Sequence, residues 1–239
     1  KRVWEMAERL QYNPNFTAIS LLDGCSKILG IVVSDISNPF FASLARLYED
    51  EAAKIGYTVF FGSSDENADK MQQAIRNLIA RGVDGLIVVP CQDSETFISS
   101  LVPRGIPLVL LDRYFPHQEI NYVALDNFEA TRQATAYILG KGSKQPTIVA
   151  YDIDLIHMHE RIRGYEQAMA DKGMSAQSNV IRIEPDISTA DMAYLLKESM
   201  DKGTDGFIFT TNLITLLGMY ALLELGCPTN GLRLVGFDG

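Results

Sequence analysis

Short, unbroken runs of Val, Ile, Leu and Phe alternate along the chain with helix-spaced apolar patterns that stop at a glycine, and few folds accommodate that rhythm. The runs occupy residues 29–33, 58–62, 85–89, 108–111, 122–125, 147–150, 180–183, 206–209 and 232–235. Most do not alternate apolar with polar residues, as a strand wetted on one face would. They therefore predict strands covered on both faces, the situation of a parallel sheet. Between them, Phe41, Leu44, Ala45, Tyr48, Ala52 and Ile55 recur at helical spacing and end at Gly56. Met71, Ile75, Leu78 and Ile79 repeat the pattern up to Gly82, and residues 129–139, 160–172, 189–202 and 213–225 read the same way. Strand and helix in strict alternation imply right-handed crossovers and a doubly wound α/β sheet.

One internal echo divides that pattern in two. Arg81-Gly-Val-Asp-Gly-Leu-Ile-Val-Val-Pro90 is matched by Lys202-Gly-Thr-Asp-Gly-Phe-Ile-Phe-Thr-Thr211, each closing a helix with glycine and opening a strand after Asp-Gly. The echo predicts two similar parallel-sheet subdomains, residues 28–146 and 147–239, with the break near Lys144-Gln145-Pro146 and a connector over residues 1–27 ahead of them. Two such halves are expected to hold a ligand in a cleft at the carboxyl ends of their strands.

Composition narrows the function classes. The 239 residues carry a formal net charge of −9, the wrong sign for a chain that binds nucleic acid over its whole surface. No run of roughly 18 apolar residues is present, so no membrane-spanning helix is expected, and the charged start Lys1-Arg2-Val3-Trp4-Glu5 does not read as a secretory leader. Cys25, Cys91 and Cys227 are odd in number and far apart, which fits incidental thiols in a reducing, cytoplasmic setting. Nucleophile elbow, Walker loop and GxGxxG are all missing, so neither catalysis nor a cofactor is expected. Gly140-Lys-Gly-Ser-Lys144 lacks phosphate-loop spacing and reads as a turn.

A set of ordered motifs resembles the lactose/galactose-repressor (LacI/GalR) family of bacterial transcription regulators over essentially the whole chain. They are Gly30-Ile-Val-Val-Ser-Asp-Ile-Ser-Asn-Pro-Phe-Phe41, Val83-Asp-Gly85, Gly105-Ile-Pro107 with Asp112-Arg113, Asp126-Asn127, Arg161-Ile-Arg-Gly-Tyr165 and Gly236-Phe-Asp238. The resemblance implies a periplasmic-binding-protein-like core of type I that binds a small carbohydrate or related metabolite, forms a homodimer to whose interface the helix over residues 40–55 contributes, and acts as a repressor. Effector binding would shift how the halves close, and with them the DNA-binding dimer. Residues 3–10 followed by Tyr12-Asn13-Pro14-Asn15 look like the end of a helix-turn-helix headpiece and the start of its hinge. Asn15, Ala18 and Leu21 fall on hinge positions that meet operator DNA, Leu21 where the family places a minor-groove wedge. Phe16, Ile19 and Asp23 depart from the basic or polar residues common there. The major-groove helix is not in this stretch, so operator DNA is expected as a partner of the full-length protein and not of these residues. The family also continues past Gly-Phe-Asp, so the resemblance leads us to expect that the sequence is a fragment. The alternative is a periplasmic-type sugar-binding protein, which shares fold and cleft but would not need residues 1–22.

The resemblance also nominates effector contacts. Phe40 and Phe41 read either as an aromatic wall for a ring face or as core, helical spacing favouring burial of Phe41. Arg161, at an expected helix start, matches the family's principal effector arginine, whose planar fork suits two ligand oxygens. Asp238 matches an acceptor after the last strand, and Asn212 an amide contact after the run 206–209, although Leu213 stands where an Asp is usual. Asp126 reads equally as an effector contact and as a helix N-cap. Asp152-Ile-Asp154 with His157-Met-His159 reads as a polar cleft wall or, less simply, as a metal site on an extended segment.

Overall fold

The computed structural model describes residues 5–6, 9–12, 24–227 and 231–237. β1 (Ile28–Val33) leads to α1 (Pro39–Lys54), β2 (Thr58–Ser63), α2 (Ala68–Ala80), β3 (Gly85–Val88), a short α3 (Glu95–Ser99), β4 (Leu108–Leu111) and β5 (Tyr122–Val123). There follow α4 (Asn127–Gly140), β6 (Pro146–Tyr151), α5 (Ile156–Asp171), β7 (Val180–Ile183), α6 (Thr189–Asp201), β8 (Gly206–Phe209), α7 (Asn212–Glu224) and β9 (Arg233–Gly236). The strands form a five-stranded sheet ordered β2-β1-β3-β4-β5 and a four-stranded sheet ordered β7-β6-β8-β9. Both are parallel wherever register is defined. By compactness the chain divides into residues 1–89 with 93–109 and residues 90–92 with 110–239.

In both sheets the first strand is flanked by the second on one side and the third on the other. That reversal of winding direction creates a crevice outside the carboxyl ends of the strands, where open α/β sheets place ligands. The echoed segments supply the third strand of each sheet. Residues 85–88 of β3 pair with 29–32 of β1, and residues 206–209 of β8 pair with 146–149 of β6.

Burial on both faces explains the unbroken apolar runs. In the second sheet, Val149, Phe207 and Phe209 pack with Met192, Leu196, Ile214 and Leu222 from α6 and α7. Their neighbours Ile148 and Ile208 point the other way, onto Ile138 of α4 and Tyr165 and Met169 of α5. Each such side chain contributes about 1.5–3 kcal/mol by leaving water. In the first unit, Ile31, Val32, Val33, Leu86, Val88, Met71 and Ile75 are buried. Gly30 makes room there, because a Cβ would lie 2.8 Å from Leu86 Cδ2 and 2.9 Å from Leu78 Cδ1 and both leucines would have to shift.

Several elements depart from the sequence expectation. The run 122–125 forms only the two-residue β5, and Tyr122 and Val123 are exposed, not covered on both faces. Edge strand β2 leaves Phe60 and Phe61 partly open. Helix α5 begins at Ile156, four residues before the expected start, so Arg161 sits in its second turn. Helix α4 starts at Asn127, two residues early, and α3 was not expected. Among the described residues no helix is long and apolar enough to cross a membrane. Asn15, Ala18, Leu21 and Asp238 lie outside the described residues.

Candidate functional site

The aromatic pair stands at the start of α1. Asp35 accepts hydrogen bonds from the Ser37 backbone N–H and hydroxyl, and Asn38 caps the helix by accepting from the Phe40 N–H at 3.0 Å, with Pro39 at the first helical position. This turn fixes where the two rings emerge. Phe41 is buried in the core, Phe40 is half-buried, and the rings meet edge to face with centroids 5.0 Å apart. Only Phe40 therefore keeps surface for a ligand.

Arg161 is the best-organised polar group of the second unit. Its side chain is only 3 % exposed. Nε donates to Asn127 Oδ1 at 2.7 Å, and Nη1 donates to the Thr210 carbonyl at the end of β8. The Phe237 ring covers the guanidinium with its centroid 4.3 Å from Cζ, a cation–π contact. Arg161 thus links the start of α4, the end of β8 and the residue after β9, three elements that converge at the carboxyl ends of the strands. Thr210 is itself tied down, its hydroxyl donating to the Val149 carbonyl at 2.9 Å.

Asp126 and Asn127 begin α4 with opposite orientations. Asp126 is exposed and caps the helix, its Oδ1 accepting from the Glu129 N–H at 2.9 Å. Asn127 points inward, 4 % exposed, to Arg161. Both line a recess of about 300 Å³ with Tyr114, Tyr122, Leu125, His157 and Glu160. Tyr114 and Tyr122 stack there with centroids 4.2 Å apart and planes within 9°. Burial pushes the Tyr114 hydroxyl pKa up, with further contributions from Tyr122, Glu160 and Asp126. Asn212 opens α7 after Thr211, the N-cap, and its Oδ1 accepts from the Leu213 N–H at 2.8 Å.

The histidine end of the Asp/His segment is helical where extended backbone was expected, while Asp152 and Asp154 precede the helix. His157 and His159 belong to α5, His157 buried and His159 outward, where its Nε2 lies 3.0 Å from Asp154 Oδ1. Among the described residues no group of His, Cys, Asp and Glu is placed to hold a metal ion. His157 faces the recess with Nδ1 buried and without a hydrogen-bond partner. Burial holds its pKa well below the usual imidazole range, reinforced by the charges of Arg113, Arg161 and His159, so the ring is neutral.

Thus Asp126 and Arg161 converge on adjacent residues of one helix start, and Asn212 lies two residues beyond the carbonyl that Arg161 bonds. Asn127, Thr210, Phe237 and the tyrosine pair were not singled out from the sequence. Asn127 and Phe237 stood inside quoted motifs, but nothing in one dimension distinguishes an inward amide at a helix start from a solvated one.

The chain belongs to the family of periplasmic binding proteins and sugar-binding domains of the LacI family, whose model matches residues 26–227. Its curated relatives are more specific. Over 100 % of its length it is 29 % identical to catabolite control protein A of Priestia megaterium, covering 73 % of that protein. Over 73 % of its length it is 32 % identical to the HTH-type transcriptional repressor PurR of Aliivibrio fischeri (strain MJ11), covering 52 % of it. The Cra transcriptional dual regulator of Pseudomonas putida, solved in complex with fructose 1-phosphate, shares the fold. Its TM-score is 0.76 at 24 % identity, over 89 % of this chain and 78 % of that one.

Proposed function

We propose that this chain is the effector-sensing part of a transcription regulator, most simply a repressor, that binds a small carbohydrate or related metabolite and thereby controls operator DNA binding. One observation carries the choice over a periplasmic-type binding protein. The likeness to catabolite control protein A spans the whole chain, including residues ahead of position 26 that the ligand-domain family model leaves out. A transport receptor has no use for a DNA-side connector. In this reading residues 1–27 belong to the connector, and residues 28–146 and 147–239 are the two effector-binding halves. The protein works without catalysis, as a cytoplasmic homodimer.

Arg161, Asp126, Asn212, Asp238 and Phe40 are the effector contacts in this proposal, Phe41 serving as core behind Phe40. The buried, doubly anchored guanidinium supports it, because a pre-set fork recognises paired oxygens at little entropic cost. The test has two arms. Calorimetry of the chain against pentoses, hexoses and their phosphates should yield a binder, and a blank panel would overturn the carbohydrate assignment. The epitope-tagged native gene product should enrich discrete chromosomal segments in cells, with the sugar altering that enrichment. Enrichment of none would overturn the regulator assignment.

A further inference from the structure

The polar groups around Arg161 include one whose hydrogen bonds leave it a single orientation. Asn127 Nδ2 donates to the Leu125 carbonyl at 3.1 Å, so its Oδ1 must face Arg161, where it accepts from Nε at 2.7 Å. Rotating the amide would set a donor against a donor and an oxygen against a carbonyl. The Asn127 backbone is held as well, its carbonyl accepting from the Thr131 hydroxyl at 2.9 Å. A side chain fixed at both ends is a rigid template for whatever it touches.

The spacing of the two helices is fixed one rung further along. Gly164 lies three residues after Arg161, on the same face of α5. A Cβ at Gly164 would stand 2.2 Å from the Phe128 carbonyl oxygen, so only glycine lets α5 come this close to the first turn of α4. Phe128 follows Asn127 in the chain. The Arg161–Asn127 bond and the Gly164–Phe128 approach are therefore consecutive contacts along one helix crossing, and the Arg163 guanidinium over the Phe128 ring, 5.1 Å away, adds a third.

We propose that Asn127 is a positioning residue for Arg161. Its amide oxygen fixes the plane in which the guanidinium presents its N–H groups, and the glycine crossing sets the distance at which it does so. The inference rests on the reading of Arg161 as the effector arginine. It adds that ligand affinity depends on a buried amide that need not touch the ligand. It also explains the division of labour at the start of α4, with Asp126 outward and Asn127 inward.

The experiment reads Arg161 directly. In the nitrogen-15 spectrum of the unliganded chain, the Arg161 Nε–Hε signal is assigned by its loss in Arg161→Lys, and its solvent exchange is measured. Asn127→Ala should speed that exchange at least tenfold, whereas Asn127→Asp, which keeps an acceptor at the same place, should preserve protection. Should Asn127→Ala fail to fold, Asn127→Ser withdraws the acceptor while keeping a polar helix start, and carries the same expectation. Unchanged Hε exchange in Asn127→Ala, or in Asn127→Ser, would overturn the proposal, even with a lowered melting temperature. D-ribose titrations then separate the two readings. Weaker binding in Asn127→Ala, by tenfold or more, supports positioning for ligand, and equal binding in wild type and variant overturns it. A wild type that ignores D-ribose while Hε exchange responds as expected leaves the positioning role supported and counts against the effector assignment alone.

Discussion

Asp84 holds Ser26 twice, accepting from its backbone N–H at 2.7 Å and from its hydroxyl at 2.9 Å, and it accepts from the Lys27 N–H at 2.9 Å as well. The second unit repeats the device: Asp205 accepts from the Ser143 hydroxyl, the Lys144 N–H and the Gln145 N–H. In each case the Asp of an Asp-Gly pair before the third strand of a sheet clamps a Ser-Lys pair just before the first. Asp84→Asn and Asp205→Asn should each cost about 1 kcal/mol, the value of a hydrogen bond to a charged group discounted for solvent access. Urea midpoints measure this; a variant as stable as wild type would show that the clamp does not hold the strands.

The same carboxylates make the fold acid-sensitive. Burial alone would raise the Asp84 pKa, but hydrogen bonds from Ser26, Lys27 and Tyr57 outweigh it and bring it below the usual value. For Asp205 burial is likewise outweighed, by Ser143, Lys144, Gln145 and the charge of Arg233. Glu129, bonded by Arg132 and Gln133, is brought down to about 2. Folded pKa values below the unfolded ones mean stability that is complete above the unfolded carboxylate range, about pH 4, and is lost as pH falls through the folded values. Urea midpoints should therefore drop below about pH 4, less steeply in Asp84→Asn/Asp205→Asn. An unchanged slope in the double variant would remove this assignment.

His157 predicts a second pH dependence at milder acidity. Its folded pKa lies well below the unfolded value, so between the two the unfolded chain binds the extra proton. Stability is then complete above the unfolded imidazole value, about 6.5, and falls below it by up to about 1.4 kcal/mol per pH unit. His157→Gln should flatten the profile between pH 6.5 and 5. Retention of the wild-type slope would place the titrating group elsewhere.

Replacing Arg161 separates charge from geometry. Arg161→Lys keeps the cation but loses the fork and should weaken the bound sugar by about tenfold or more, near 1.4 kcal/mol. Arg161→Ala should abolish binding, and it leaves Asn127 Oδ1 and the Thr210 carbonyl without that donor, at about 1–3 kcal/mol in stability. Normal affinity in Arg161→Ala, read by calorimetry, would dissolve the proposed site.

Tyr165 tests the packing beneath. It is fully buried, its hydroxyl donating to the Pro146 carbonyl at 2.8 Å and accepting from the Asn179 N–H at 2.9 Å, with its pKa pushed up to about 12 by burial. Tyr165→Phe keeps the ring and should cost about 1–3 kcal/mol by stranding those backbone groups. The cost should be constant from pH 7 to about 9, and shrink as pH rises from the unfolded phenol value of about 10 toward the folded one of about 12.

The elements that were legible in advance are those whose signal is local. The runs 108–111 and 206–209 are the strands β4 and β8 residue for residue, since two covered faces leave no polar interruption to blur the ends, and 180–183 is β7 although Arg182 breaks its apolar run and is exposed. Helix α6 starts at Thr189 as expected, because Ser188 is a side-chain cap bonded to the Asp191 N–H at 3.1 Å. The start of α5 was missed for the converse reason. Its N-cap is Leu155, which makes no side-chain cap bond, so nothing in the sequence announces the first turn. That omission put Arg161 at the helix start and hid the inward direction of His157. The arginine itself was readable from its motif. Its partners were not, because Asn127 lies 34 residues away and Thr210 lies 49 away, through contacts set by how helices cross.

The paired Ser–Asp clamps have an evolutionary corollary. They fasten each sheet at the amino ends of its strands, whereas Arg161, Thr210 and Phe237 gather at the carboxyl ends. On the proposed reading of Arg161, foldability and ligand preference are written at opposite tips of the strands of the second sheet. A lineage, or a mutagenesis library, can rewrite the residues after β6, β8 and β9 to accept a new metabolite while the fastening that keeps the scaffold viable goes untouched.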